Sequence, residues 1–437
     1  MKPITTIITL LLPAFLFGQV PDTISLYDCH EMALASFPTA ENTTLLTTAS
    51  EIRQKRLNAN YLPRVQLNGQ ATYQSDVTKV DVEIPSFYLP PPIDMEVSPT
   101  PLETPFPSND QYKFTMDVYQ VIYDGGLTGK QKKVDLASYE IEKTQVEVEL
   151  HQLKENINQV YFSIIIIQEN KKLLSILKDE LITKLKDIEV AVENGVALSS
   201  EADILKAEII RVEQQLDEAT IQKKAFLTIL AELISSDLPA EIVLELPVND
   251  ISRLEISPAR PEIRLFETQE LLLEESKNLI SSTWMPKLSG FGQLGYGNPG
   301  LNMLEDNWTP YYIVGARLNW QIWNWNQNKK DKQILGLRQE IVQKNRQAFD
   351  KNLNMNLEQY LADIRKYEKL MSSDLEVIKL RQNIAQTASS QLDNGVITSS
   401  EYVSRLNEQA QARLNLEIHR VRLEKARIDY LTGLGKL

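Results

Sequence analysis

Cysteine and histidine are scarce in this sequence, with one Cys and three His among 437 residues. A single cysteine, Cys29, excludes an intramolecular disulfide and reads as a small packed hydrophobe. His30, His151 and His419 lie far apart, on helix faces that are either solvated or packed. No HExxH, phosphate-binding glycine loop or nucleophile elbow occurs. The 8 Met are scattered and give no soft-metal pathway. Catalytic residues, metal ligands and cofactors are therefore not expected. Positive charge is in deficit: 46 Lys and Arg against 59 Asp and Glu leave a net charge of −13, which excludes a nucleic-acid partner. Glycine is sparse too, at 16 residues, which excludes a fibrous or low-complexity chain. Long apolar runs are missing beyond the N-terminus, so no helix is expected to span a membrane.

The N-terminus carries the one short apolar run. Lys2 precedes Ile4 to Phe17, and small residues lie near Gly18 and Gln19, so residues 1–19 read as a secretory signal peptide. The alternative, a first transmembrane helix, needs ~20 apolar residues, and this run has about 14. The chain is thus expected to be exported, and then to be soluble or inserted as a β-barrel.

What the sequence does have is a repeat. Tyr61-Leu62-Pro63-Arg64 leads to Gly69-Gln70-Ala71-Thr72-Tyr73, and Trp284-Met285-Pro286-Lys287 leads to Gly292-Gln293-Leu294-Gly295-Tyr296. Val121-Ile122-Tyr123-Asp124 is answered by Gln321-Ile322-Trp323-Asn324. Asn194-Gly195-Val196-Ala197-Leu198-Ser199-Ser200-Glu201 is answered by Asn394-Gly395-Val396-Ile397-Thr398-Ser399-Ser400-Glu401. The first half has extra residues between Tyr73 and Val121, including Pro85, Pro90, Pro91, Pro92 and Pro99, which read as a long exposed loop.

Each half combines two periodicities. From Arg64 to Tyr73 and from Tyr112 to Tyr119, polar and apolar residues alternate, as in strands with one wet and one apolar face. Tyr312 to Trp320 alternates less cleanly, and the glycine-rich stretch Leu288 to Tyr296 has the weakest strand pattern. Two hairpins and four strands are expected. About 66 residues from Thr128 to Glu193 then contain no Pro and, apart from Gly129 at their start, no Gly, enough for a helix of roughly 100 Å. The stretch from Asn328 to Asp393 is interrupted only by Gly336. Leu174, Leu181 and Ile188 recur at heptad spacing, and Leu205, Ile209, Val212, Leu216 and Ala219 step as a coiled-coil seam. Both long helices meet Asn-Gly, where Gly195 and Gly395 suit the left-handed residue that ends a helix. Ser200 and Ser400 are expected to cap the returning helices, with Asp203 completing an imperfect capping box for Ser200.

Four strands are too few to close a barrel, and open edges are not tolerated in lipid, so closure requires several copies. Trp284, Trp308, Trp320, Trp323 and Trp325 all fall within the second hairpin region, where indole rings suit a lipid–water boundary. A small soluble β core would also use such aromatics.

Taken in order, these segments resemble the TolC-like outer-membrane efflux proteins across essentially the whole mature chain. Ser25 to Leu34 is similar to that family's first helix, with Phe37-Pro38 where Asn-Pro is common. Leu62-Pro63 resembles its approach to the first strand, Asp124-Gly125-Gly126 its strand-to-helix turn, and Leu431-Thr432-Gly433 its C-terminal helix end. Asn324-Trp325-Asn326 departs from the Asp-Gly-Gly pattern. The resemblance implies an α+β membrane protein: a homotrimer whose twelve-stranded outer-membrane β-barrel continues into a long periplasmic α-helical coiled-coil barrel. It also implies a periplasmic adaptor and an inner-membrane pump as partners.

The expected organisation follows: N-terminal helix 20–60, β-hairpin 61–123, helical hairpin 124–235, equatorial linker 236–262, helix 263–283, β-hairpin 284–326, and second helical hairpin with the C-terminal end 327–437. Asn194, Gly195, Val196 and Ser200, with Asn394, Gly395, Val396 and Ser400, are the expected adaptor-docking tips. Glu201 and Glu401 are candidates for an acidic constriction at the entrance, a role borrowed from the family. A purely structural role, an acid in the first helical turn, is the alternative. Ser404 stands where the family has a further acidic residue. The rival to a channel is a periplasmic coiled-coil adaptor or scaffold without a pore.

Overall fold

The computed structural model describes residues 23–80, 82–102, 106–249 and 258–437. The expected signal peptide lies outside the described residues, as does part of the linker, 250–257. The chain divides into two compact units, each drawn from several stretches.

The first unit comprises residues up to Thr43, Thr144–Leu265 and Asn345–Leu437, and it is helical. Helix α1, Leu26–Ser36, starts at a capping box in which the Ser25 hydroxyl accepts from the Asp28 amide and Asp28 accepts from the Ser25 amide. It is followed by α2, Pro38–Asn58, so the single N-terminal helix expected over 20–60 is two helices. Phe37 is extended at its C-cap, as a residue before proline prefers. The core gathers Leu26, Cys29 and Ala33 of α1 with Ile157, Tyr161, Phe162, Ile164 and Ile165 of the long helix α3, Leu127–Glu193. Leu227, Leu230 and Ile234 of α4, Ser199–Ile234, complete it with Ile242 and Leu244 of the linker. Linker residues Val243–Leu244 pair in parallel with Thr23–Ile24. The Tyr161 hydroxyl lies 2.9 Å from the Ile24 carbonyl and 2.7 Å from that of Glu245. A second cluster unites Leu181, Ile188, Leu205 and Val212 with Leu392 and Leu406; of the other heptad positions read from sequence, Leu174, Ile209 and Leu216 are half-buried against it.

The second unit comprises Thr44–Lys143 and Phe266–Lys344. It holds β1, Arg64–Tyr73, and β2, Asp110–Tyr123. After α5, Pro261–Ser282, come β3, Lys287–Asn298, and β4, Thr309–Asn319. These four strands form one antiparallel sheet in the order β4-β3-β2-β1. The glycine-rich stretch with the weakest pattern is therefore a central strand, β3. At Gly295 the reason lies across the ladder, where it faces Tyr311 and an added Cβ would collide with that ring; Gly315 of β4 likewise faces the Phe291 ring of β3. Between β1 and β2 the proline-rich segment is more ordered than a loop. Val82–Ile84 pairs with Thr100–Leu102, and Phe87–Leu89 with Met95–Val97.

The two hairpins share one register. Arg64 opposes Tyr119 and Tyr73 opposes Asp110; Lys287 opposes Asn319 and Tyr296 opposes Pro310. Residues matched between the two halves of the sequence thus hold the same places in both ladders. Two further helices complete the chain, α6, Gln327–Asp393, and α7, Ser399–Gly433.

Candidate functional site

The sheet sorts its side chains by chemistry. The pairing places Val65, Leu67, Met116, Val118, Leu294 and Val314 on one face, and Gln66, Asn68, Thr115, Asp117, Gln293 and Arg317 on the other. The apolar face is uncovered in the protomer: Leu67 is 80% and Val314 77% exposed. Near one end of that face, Trp308 stacks with Tyr296 at 5.2 Å and Tyr112 at 5.9 Å between ring centroids.

On the polar face a hydrogen-bonded cluster centres on Asp117. Its carboxylate accepts from Asn68 Nδ2 at 2.6 Å, Thr115 Oγ1 at 2.9 Å and Gln293 Nε2 at 2.6 Å, tying three strands together. Sequence reasoning passed over this cluster, because its partners come from distant strands and only the sheet brings them together. Neither outer edge is satisfied: among the described residues, β1 and β4 each pair on one side only.

The strand-to-helix turns use left-handed residues in both halves. Gly125 and Gly126 have φ of 71° and 78°, whereas Trp325 and Asn326 stand at 53° and 60°. In the first turn Asp124 accepts from the Gly126 amide at 2.9 Å and the Thr128 amide at 2.7 Å, fixing the start of α3. Burial pushes the Asp124 carboxyl up, but hydrogen bonds from Thr128, Tyr61 and Gly126 outweigh it and hold it below the usual range.

The hairpin tips end α3 and α6 in the same way. The Gly195 amide donates to Val192 and the Val196 amide to Ala191; Gly395 donates to Leu392 and Val396 to Gln391. This is the Schellman pattern, with φ of 72° at Gly195 and 68° at Gly395. Asn194 and Asn394 each return a side-chain amide to a carbonyl of the last turn, at 2.9 and 2.7 Å. Val196 and Val396 point into solvent, 82% and 68% exposed.

The capping expectation is corrected here. Helices α4 and α7 start at Ser199 and Ser399, so Ser200 and Ser400 lie inside the first turn, and no Ser200–Asp203 capping box operates. Leu198 occupies the first cap without a side-chain bond. Thr398 caps α7, accepting from the Glu401 amide at 3.3 Å while Glu401 accepts from the Thr398 amide. Glu201 instead crosses between hairpins and accepts from the Ser399 amide at 2.6 Å. Both carboxylates thus sit at the positive end of α7, where the helix dipole favours them. Behind the tips, Lys184 bonds Asp393 at 2.8 Å and lies 5.7 Å from the Tyr402 ring centroid, a second tie between the hairpins.

Among the described residues no helix is long and apolar enough to cross a membrane, and no cluster of His, Cys, Asp or Glu is arranged to hold a metal ion.

No protein-family model matches the chain, and no curated protein matches it in sequence. Solved structures do. The outer membrane protein VceC of Vibrio cholerae superposes with a TM-score of 0.67 at 12% identity, covering 94% of this chain and 96% of that one. The CmeC outer membrane channel of Campylobacter jejuni gives 0.66 at 14%, covering 94% and 85%. The open-state MtrE outer membrane channel of Neisseria gonorrhoeae gives 0.67 at 15%, covering 94% and 88%. The chain has the fold of these outer-membrane channels, as its sequence resemblance implied.

Proposed function

We propose that this chain is the outer-membrane exit duct of a tripartite efflux or type I secretion system. Three copies contribute four strands each to a twelve-stranded barrel in the outer membrane of a Gram-negative-type envelope. The helical hairpins of the same copies form a tunnel in the periplasm. The observation that carries this reading is the two-faced sheet with both edges unpaired. Its exposed apolar face suits outer-membrane lipid, its polar face suits an aqueous lumen, and unpaired edges demand neighbours. The fold shared with outer-membrane channels supports it. A soluble scaffold would leave that apolar face in water, which disfavours the alternative. Transport through such a duct needs no chemistry from the chain, and the driving energy comes from an inner-membrane pump.

The test is insertion and conductance. The purified protein is expected in the outer-membrane fraction and to conduct ions across planar bilayers. Leu294→Arg, on the apolar face, introduces a cost of about 2–4 kcal/mol near the bilayer midplane and is expected to abolish insertion. Gln66→Arg, opposite Asp117 on the polar face, is expected to insert and alter conductance only. Equal tolerance of both variants would refute a lipid-facing role for the apolar side.

At the periplasmic end we assign adaptor docking to the tips, Asn194 to Ser200 and Asn394 to Ser400, whose exposed Val196 and Val396 offer apolar anchors. Glu201 and Glu401 would line the entrance constriction, with their charge partly offset by the α7 terminus. Val196→Asp combined with Val396→Asp is expected to leave assembly and conductance intact while lowering export in cells about tenfold or more, since each lost anchor is worth about 1–2 kcal/mol. Undiminished export would remove the tips from the docking surface.

A further inference from the structure

The proposed assembly leaves open which residues meet where one copy joins the next, and the chain contains a template for that seam. Within the protomer, hairpin meets hairpin between β2 and β3: Phe114 opposes Tyr296, Met116 opposes Leu294, Asp117 opposes Gln293 and Tyr119 opposes Phe291. The β1–β2 and β3–β4 ladders have the same register when the sequence halves are matched, so β2 corresponds to β4 and β3 to β1 residue by residue.

A second observation points to an absent partner at the same edge. Strand β2 extends to Tyr123, and beyond Tyr119 its only ladder partner among the described residues is β3, through Gln120 with Gly290, Val121 with Ser289 and Tyr123 with Leu288. Its counterpart β4 stops at Asn319, and Trp320 to Trp323 lie outside any strand. The strand ends at the point where its only remaining partner would be the β1 of another copy. Trp320, Ile322 and Trp323 are left 55%, 66% and 64% exposed.

Resting on the trimeric reading above, we infer that β4 of one copy pairs antiparallel with β1 of the next in the β2–β3 register. That sets Val314 opposite the neighbour's Tyr73, Ala316 opposite Ala71, Arg317 opposite Gln70 and Trp320 opposite Leu67. The parity is self-consistent, since the apolar face meets the apolar face and the polar face the polar face. A slip of one residue would turn one strand inside out. On pairing, Trp320 to Trp323 would extend β4.

Paired cysteines read the register directly. Opposed residues have Cα atoms about 4.5–5.5 Å apart, alternating between the two ladder positions. Diagonal neighbours stand at about 7–8 Å, beyond the usual 4.4–6.8 Å of a disulfide. In full-length protein carrying Cys29→Ala, two in-register pairs are made, Ala316→Cys with Ala71→Cys and Arg317→Cys with Gln70→Cys. Consecutive positions ensure that one pair falls at the closer site. The off-register control is Ala316→Cys with Tyr73→Cys. After oxidation in membranes, non-reducing gels are expected to show at least about tenfold more covalent dimer and trimer for the better in-register pair than for the control. If the control cross-links as well or better, the register is overturned while the assembly stands. If no pair cross-links and the detergent-solubilised protein sediments as a monomer, the trimeric reading fails and the seam with it.

Discussion

Acidification from pH 7 to pH 4 is expected to strip several kcal/mol from the helical unit, through two buried neutral histidines. His30 and His151 are 5% and 6% exposed. Burial pulls His30 down to about 4, aided by the Lys154 charge and opposed by hydrogen bonds to Asn158 and the Lys154 backbone. Its Nε2 lies 2.8 Å from Asn158 Oδ1, and Asn158 Nδ2 donates in turn to Thr432 Oγ1 at 2.9 Å, a chain that suits a neutral ring. Burial likewise pulls His151 down to about 4, with Arg260 and Lys154 pushing the same way and Glu262 and the Thr432 backbone opposing. The nearest Glu155 oxygen is 3.7 Å from His151 Nε2 and already bonds Arg260 at 2.9 Å. That separation is too long for a hydrogen bond, so Glu155 does not hold a proton on the ring.

The unfolded chain, with ordinary histidines near 6.5, binds protons first as pH falls. Stability from these groups is therefore full above pH 6.5, declines down to pH 4 and is level below it. A shift of this size corresponds to at most about 3 kcal/mol for each histidine. Asp429 and Glu424, both raised chiefly by burial, offset part of the loss because acid relieves their buried charge. Melting followed by helical circular dichroism from pH 7.5 to 3.5 reads the slope. The wild type is expected to fall steeply between pH 6.5 and 4, and His30→Gln with His151→Gln to run much flatter. Parallel curves would show that the histidines are not responsible.

Gly125→Val is expected to cost about 2–5 kcal/mol and to prevent stable assembly, combining a left-handed β-branched residue with overpacking. At φ of 71° a Cβ on Gly125 would run into the Met285 side chain, whereas Gly126, at 78°, has nothing within 4 Å. Gly126→Ala is therefore expected to cost only about 1 kcal/mol, the backbone penalty alone. At the matching turn, Trp325→Gly is expected to be nearly neutral, because relief of the left-handed strain is offset by a freer unfolded chain. Heat dissociation of the oligomer, read on semi-native gels, ranks the three. If Gly125→Val proves as mild as Gly126→Ala, the contact with Met285 is not close in solution.

Periodicity in the sequence was enough to find the strands, the long helices, their buried seam and the Asn-Gly tips. Alternation and heptad spacing are local and survive translation into any tertiary context. β3 was the hardest strand to read, because four glycines dilute its alternation and the reason for one of them, Gly295, is a ring on another strand, Tyr311. Both caps were misplaced by two residues because Ser-Ser-Glu offers several equivalent hydroxyls, and only backbone geometry selects Leu198 and Thr398. Glu201 was legible as an acid in a first turn but not as the acceptor for another hairpin's helix.

By itself the sequence determined which residues are apolar at period two and at heptad spacing, hence the element types and the doubled plan. Only the tertiary structure decided strand order and register, and with them the two chemically distinct sheet faces and the two unpaired edges. Those depend on contacts between residues tens to hundreds of positions apart, which no local pattern encodes. The Asp117 cluster, the buried histidines and the bond from Ser399 to Glu201 belong to the same class.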